Sequence, residues 1–133
     1  ISNDIANIIF IYLIITIVIE FVGWFTLGLW EYPYFNNIEK IIHVLLIGYP
    51  FAFFFIYETF ILIQNKIRNF NLSIITTSLI SAFLHEIPNT FAWEWIYKIP
   101  NINFEILNIN IVVIIGWIIL IYIPLIVKKI IYL

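Results

Sequence analysis

Five side chains able to do acid-base chemistry interrupt otherwise apolar runs in this sequence: Glu20, His43, His85 and Glu86, which group toward one end of their spans, and Glu58, which lies nearer the other. A carboxylate in hydrocarbon costs about 2.5–3.5 kcal/mol even on a lenient insertion scale, so an acid inside an apolar run needs a partner or a task. Brought together, two carboxylates and two imidazoles can share and pass protons. One acid held protonated donates to a double bond, an epoxide or a leaving group, while the other stabilises developing positive charge. On this reading Glu20, His43, His85 and Glu86 are the candidate catalytic residues. The surrounding Phe, Trp and Ile suit a lipid-like or isoprenoid substrate, with Trp24, Trp93, Trp95, Thr77 and Ser81 as candidate substrate contacts.

Helical spacing groups these residues. Thr77, Ser81 and His85 fall at i, i+4 and i+8, as do Tyr12, Thr16 and Glu20, which places each set on one polar stripe of its helix. Such stripes are expected to face protein rather than lipid. Other chemistries start from the same residues. A divalent ion held by His43, His85, Glu86 and Glu20 is weakly signalled, since no HExxH or comparable spacing occurs, and neither a metal nor another cofactor is expected. Intramembrane acids also serve proton-coupled transport, which four short helices would support as an oligomer. A non-catalytic subunit or scaffold, whose acids meet a partner's cations, is the remaining alternative.

The elements that must position these residues are set by composition. Hydrophobic residues make up 64% of the 133 positions and charged residues 11%, and the mean hydropathy is +1.09. A water-exposed fold needs polar surface that this chain lacks, so lipid is the expected outer solvent and the bilayer its first partner. The fold class follows: all-α, an integral membrane four-helix bundle forming a single domain over 1–133, with spans at about 5–29, 41–63, 70–87 and 109–127. Each is long enough to cross a core of about 30 Å at 1.5 Å per residue. The third is expected to stop at Ile87, because Pro88 disfavours helical geometry in the residue before it. A net charge of −2 without a basic patch points away from nucleic acid. The chain contains neither cysteine nor methionine, and its opening at Ile1 suggests that an earlier segment has been removed.

Lys66 and Arg68 lie between the second and third spans, and Lys128 and Lys129 follow the fourth. The other connections hold Lys40 and Lys98 among Glu31, Glu39, Glu94 and Glu105. The positive-inside rule therefore predicts a multi-pass protein with both termini cytoplasmic and two aromatic loops outside. Trp24, Trp30, Tyr32, Trp93, Trp95 and Tyr97 would form an aromatic belt at that interface. A weak parallel repeat of two tandem helical hairpins is also legible. Trp30-Glu31-Tyr32 lies over Trp93-Glu94-Trp95, Ile47-Gly48-Tyr49 over Ile115-Gly116-Trp117, and Glu20 precedes the first copy much as Glu86 precedes the second. The expected function is an outward-facing polar pocket that binds or acts on an amphiphilic small molecule, in a chain able to form homo-oligomers or a membrane complex.

Overall fold

Long runs of Ile, Leu, Val and Phe can satisfy their backbone polar groups within one segment only by forming helix, and the computed structural model of the chain, which describes residues 3–35, 37–100 and 102–131, is mostly helical. Helix α1 (Asn3–Glu20) runs on into a π-helical segment, Phe21–Thr26. A one-turn α2 (Asn37–Glu39), a second π-helical segment (Lys40–Gly48) and α3 (Tyr49–Ile67) form one continuous rod. Helices α4 (Phe70–Ala92) and α5 (Ile111–Ile131) complete the set. Four of these stretches are long and apolar enough to cross a membrane: Ile5–Thr26, Asn37–Ile67, Phe70–Ala92 and Ile111–Ile130.

Turn chemistry fixes the connections. Arg68 closes α3 in the left-handed conformation, its N–H donating to the Gln64 carbonyl. Asn69 then caps α4 by accepting from the Leu72 N–H at 3.0 Å. This two-residue corner folds α4 back along α3. At the opposite end β1 (Trp30–Glu31) pairs antiparallel with β2 (Ile96–Tyr97), setting Trp30 opposite Tyr97 and Glu31 opposite Ile96. The ribbon ties the two aromatic loops together at one end of the molecule. It is extended by the Lys98 N–H donating to the Leu29 carbonyl and flanked by a surface ion pair between Lys98 and Glu31, 2.6 Å apart. A short hairpin, β3 (Glu105–Ile106) with β4 (Ile109–Asn110), leads into α5, and its two turn residues, Leu107 and Asn108, both have positive φ. That is the backbone a two-residue primed turn requires.

The helices pack in a closed ring, α1 against α3 and α5, and α4 against the same two. Ile8, Tyr12, Phe53, Ile56 and Ile74 fill the interior with Ile121, and Tyr12 stacks on Phe53 with ring centroids 4.4 Å apart. Phe10, Phe51, Leu62 and Ile130 point outward and are exposed.

One expected boundary is corrected. The third span does not stop at Ile87, because α4 continues through Pro88 to Ala92. Proline removes one donor and crowds one carbonyl, a penalty confined to a single turn. The extra turn is held from both sides. Glu86 and Asn89 are buried and bonded to the following loop, and Trp93, in the left-handed conformation, ends the helix by donating its N–H to the Asn89 carbonyl.

Candidate functional site

Two carboxylates sit at the ribbon end of the bundle, each inside its own cage of donors. Glu20 closes α1, and its Oε1 accepts from the Tyr32 hydroxyl at 2.7 Å and from the Tyr49 hydroxyl, while Oε2 accepts from the Trp30 indole N–H at 3.0 Å. Glu86, on α4, repeats the pattern. Its Oε1 accepts from the Tyr97 hydroxyl and the Trp117 indole, both at 2.8 Å, and its Oε2 accepts from the Trp95 indole at 3.1 Å. Both acids are almost fully buried, at 5% and 3% exposure. Bonds of this charge-assisted kind contribute about 1.5–3 kcal/mol each, so three together outweigh the cost of holding a carboxylate there.

The local sequence explains the cages. In each half the acid ends or nearly ends a helix, and a Trp-x-Tyr segment (Trp30-x-Tyr32, Trp95-x-Tyr97) returns over it as a strand of the ribbon. The next long helix then supplies a third donor immediately after a glycine, Tyr49 after Gly48 and Trp117 after Gly116. In the first half Gly23 makes room, because a methyl built there would fall inside the Trp30 ring. In the second, Asn89 grips the backbone of Trp95. Its Nδ2 donates to the Trp95 carbonyl at 2.9 Å, and its Oδ1 accepts the Trp95 N–H at 3.1 Å. Burial first, and then the adjacent carboxylate, push the Tyr32 and Tyr97 hydroxyls well above the usual phenol range, which keeps both as donors.

A cavity of about 280 Å³ opens beside the second cage, lined by Glu86, Thr90, Trp93, Trp95, Tyr97 and Asn108 among others. Beside the first cage there is only a hollow of about 10 Å³, lined by Glu20, Trp24, Tyr32, Lys40 and Ile41 with their neighbours.

The expected site residues therefore divide. Glu86, Trp93 and Trp95 come together at the larger cavity; Glu20 and Trp24 meet at the smaller hollow. Glu20 bonds to Trp30, Tyr32 and Tyr49 rather than to either histidine or to Glu86. His43 is exposed, stacks on Phe35 and shares a hydrogen bond with the Glu39 carbonyl. His85 is half-buried. A carbonyl only accepts, so its Nδ1 donates to the Ser81 carbonyl at 2.7 Å, and its ring lies 4.9 Å from that of Trp117. Thr77 and Ser81 face the bundle interior and line neither cavity, and their hydroxyls have no hydrogen-bond partner among the described residues. Trp30, Tyr32, Trp95 and Tyr97, expected as an interfacial belt, turn their polar atoms onto the two acids instead. Among the described residues, no three His, Cys, Asp or Glu side chains converge as a metal site.

Sequence reasoning misses the donors to the two acids contributed by Trp30, Tyr32, Tyr49, Tyr97 and Trp117, together with Asn89. The signal for most of them was the expected Trp-Glu match between the two loops, which lies two residues out of register with the hydrogen bonds. Aligning on Trp-Glu sets Trp30 over Trp93, whereas the hydrogen bonds to the acids set Trp30 over Trp95 and Tyr32 over Tyr97. The Ile-Gly-aromatic match of Tyr49 with Trp117 holds. No family model, curated protein or solved structure matches this chain.

Proposed function

We propose that this chain is a four-span membrane protein, built of two hairpins in parallel repeat, that binds an amphiphilic small molecule in the cavity beside Glu86. The observation that carries the reading is an open space of about 280 Å³ against a buried carboxylate and two indoles, at the end of four lipid-compatible helices. A carboxylate has about four acceptor positions, and three on Glu86 are taken, two at Oε1 and one at Oε2. One position at Oε2 is left for a ligand's donor. With three protein donors already on it, Glu86 suits holding a ligand's head better than passing a proton to it. An apolar chain is accommodated by Trp93, Ile96 and Ile109 in the cavity wall.

The reading is tested with an alkyl amphiphile brominated on its chain, which quenches nearby tryptophans. With the protein in lipid nanodiscs, quenching is expected to saturate, and Thr90→Phe, which fills the cavity, is expected to abolish the saturable part. Quenching that rises without limit and is unchanged in the variant would refute the site.

Glu58 favours a second reading, a membrane subunit. It lies half-buried within the second span, with no hydrogen-bond or ion-pair partner among the described residues. A cation on a partner helix would satisfy it. Native cross-linking in membranes, with and without Glu58→Gln, separates the readings. A cross-linked species lost in the variant supports the subunit, whereas an unchanged pattern removes it.

A further inference from the structure

The two halves are alike enough that their differences are informative. Thr90 follows Glu86 by four residues as Trp24 follows Glu20, and Asn108 precedes Trp117 by nine as Lys40 precedes Tyr49. The matched residues line matched spaces: Glu20, Trp24, Tyr32, Lys40 and Ile41 around the small hollow, and Glu86, Thr90, Tyr97, Asn108 and Ile109 around the large cavity. The spaces are thus one site occurring twice, shut in the first half and open in the second. What shuts the first is a pair of side chains. The Lys40 ammonium lies 5.2 Å from the centre of the Trp24 ring, in the same hollow as Glu20. In the second half both are replaced by smaller, neutral residues, Thr90 and Asn108, and no Lys or Arg lines the cavity.

From this difference, and resting on the binding role proposed for the cavity, we propose that the ligand supplies the missing cation: the cavity beside Glu86 takes an ammonium-type head group carried on an apolar chain. In the first half an indole face already holds a protein ammonium, in a hollow that the Glu20 carboxylate also lines. The second half keeps the carboxylate, brings the Trp93 and Trp95 indoles to the cavity wall and leaves the cation's place open. Cation–π attraction contributes about 0.5–1 kcal/mol at exposed sites and about 2 or more when desolvated, and the buried carboxylate adds to it. The surrounding loops reinforce the preference. Glu94 and Glu105 are exposed on the same connection, whose Lys98 is already paired with Glu31.

The experiment compares three probes with the same chain, octylammonium, 1-octanol and octyl sulfate, by calorimetric titration into the protein in phosphatidylcholine nanodiscs, with empty discs subtracted. Octylammonium is expected to bind one site per chain, at least about tenfold tighter than octanol, with no saturable binding of the sulfate. Asn108→Lys is expected to weaken octylammonium at least about tenfold by supplying the cation internally. Asn65→Lys, which adds the same charge at the opposite end of the bundle, is expected to leave binding intact. The reverse exchange, Trp24→Thr with Lys40→Asn, opens the first hollow and is expected to raise the stoichiometry from one to two. Each variant is compared with the parent by circular dichroism, so a loss of fold is not read as a loss of binding. Octanol or sulfate binding as tightly as octylammonium would overturn the cationic preference while leaving the amphiphile site standing. If none of the three probes binds saturably, the site itself falls. A stoichiometry that stays at one in the well-folded double variant would overturn the equivalence of the two spaces.

Discussion

At the scale of single residues, the buried acids are settled by donors. Removing one leaves a buried carboxylate short of a hydrogen bond, which costs about 1–3 kcal/mol and more when the acceptor is charged. Tyr97→Phe deletes a 2.8 Å bond to Glu86 and little else. It is expected to lower stability by at least about 1–3 kcal/mol in reversible unfolding from mixed detergent. Tyr34→Phe, on an exposed side chain, serves as the control and is expected to change it by less than about 0.5 kcal/mol. The Tyr32 and Tyr97 phenols also carry a pH dependence whose sign is fixed. Each is held above its ordinary value by burial and then by the neighbouring acid, so the folded state keeps its proton where the unfolded chain releases it. Below about pH 10 both states are protonated and these groups contribute no slope; above it the unfolded chain loses protons first, and stability falls as pH rises. Unfolding midpoints measured from pH 8 to 11 are expected to stay level and then drop. Tyr32→Phe with Tyr97→Phe is expected to flatten the drop, and a drop of equal slope in that variant would remove these phenols as its cause.

At the scale of elements, legibility tracked what each element depends on. The four rods were legible because their signal, unbroken apolar length, is carried by every residue in the run. The end of α4 was not. A proline rule judges one turn locally, whereas Glu86, Asn89 and Trp95 hold that turn through bonds to a loop beyond it. The four-residue pocket was misread for a related reason. Helical spacing assigns Glu20 and His85 to a face, but two of the three donors that reach Glu20, Trp30 and Tyr32, arrive on or just after a returning strand whose pairing with β2 has no strong pattern in two-residue segments. Glycine gives a further test. Gly23 lies directly under the Trp30 ring, whereas a Cβ at Gly116 meets nothing within 4 Å. Gly23→Ala is expected to destabilise by about 1–3 kcal/mol through overpacking. Gly116→Ala gains helix propensity, so it is expected to be neutral or to stabilise by up to about 1 kcal/mol. Thermal unfolding of the two single variants checks the contrast, and equal losses would mean that the ring does not rest on Gly23.

At the scale of the whole molecule, the ribbon between β1 and β2 holds both aromatic loops at one end, which fixes the sense of all four rods relative to one another. The cations give the orientation an expected sense. The corner between α3 and α4 exposes Lys66 and Arg68, and Lys128 and Lys129 lie in the last turn of α5 at that same end. The ribbon end has Lys40 lying over Trp24 and Lys98 paired with Glu31, with Glu94 and Glu105 left exposed. Positive residues beside short loops resist translocation, so the α3–α4 corner is expected in the cytoplasm and the cavity beside Glu86 on the outside. Because the chain has no cysteine, single reporters can be placed without removing any. Asn103→Cys and Asn65→Cys put a thiol at an exposed position of each end. In intact cells, a membrane-impermeant maleimide is expected to label the first, and to label the second only after the membrane is opened. The reverse pattern would place the cavity on the cytoplasmic side.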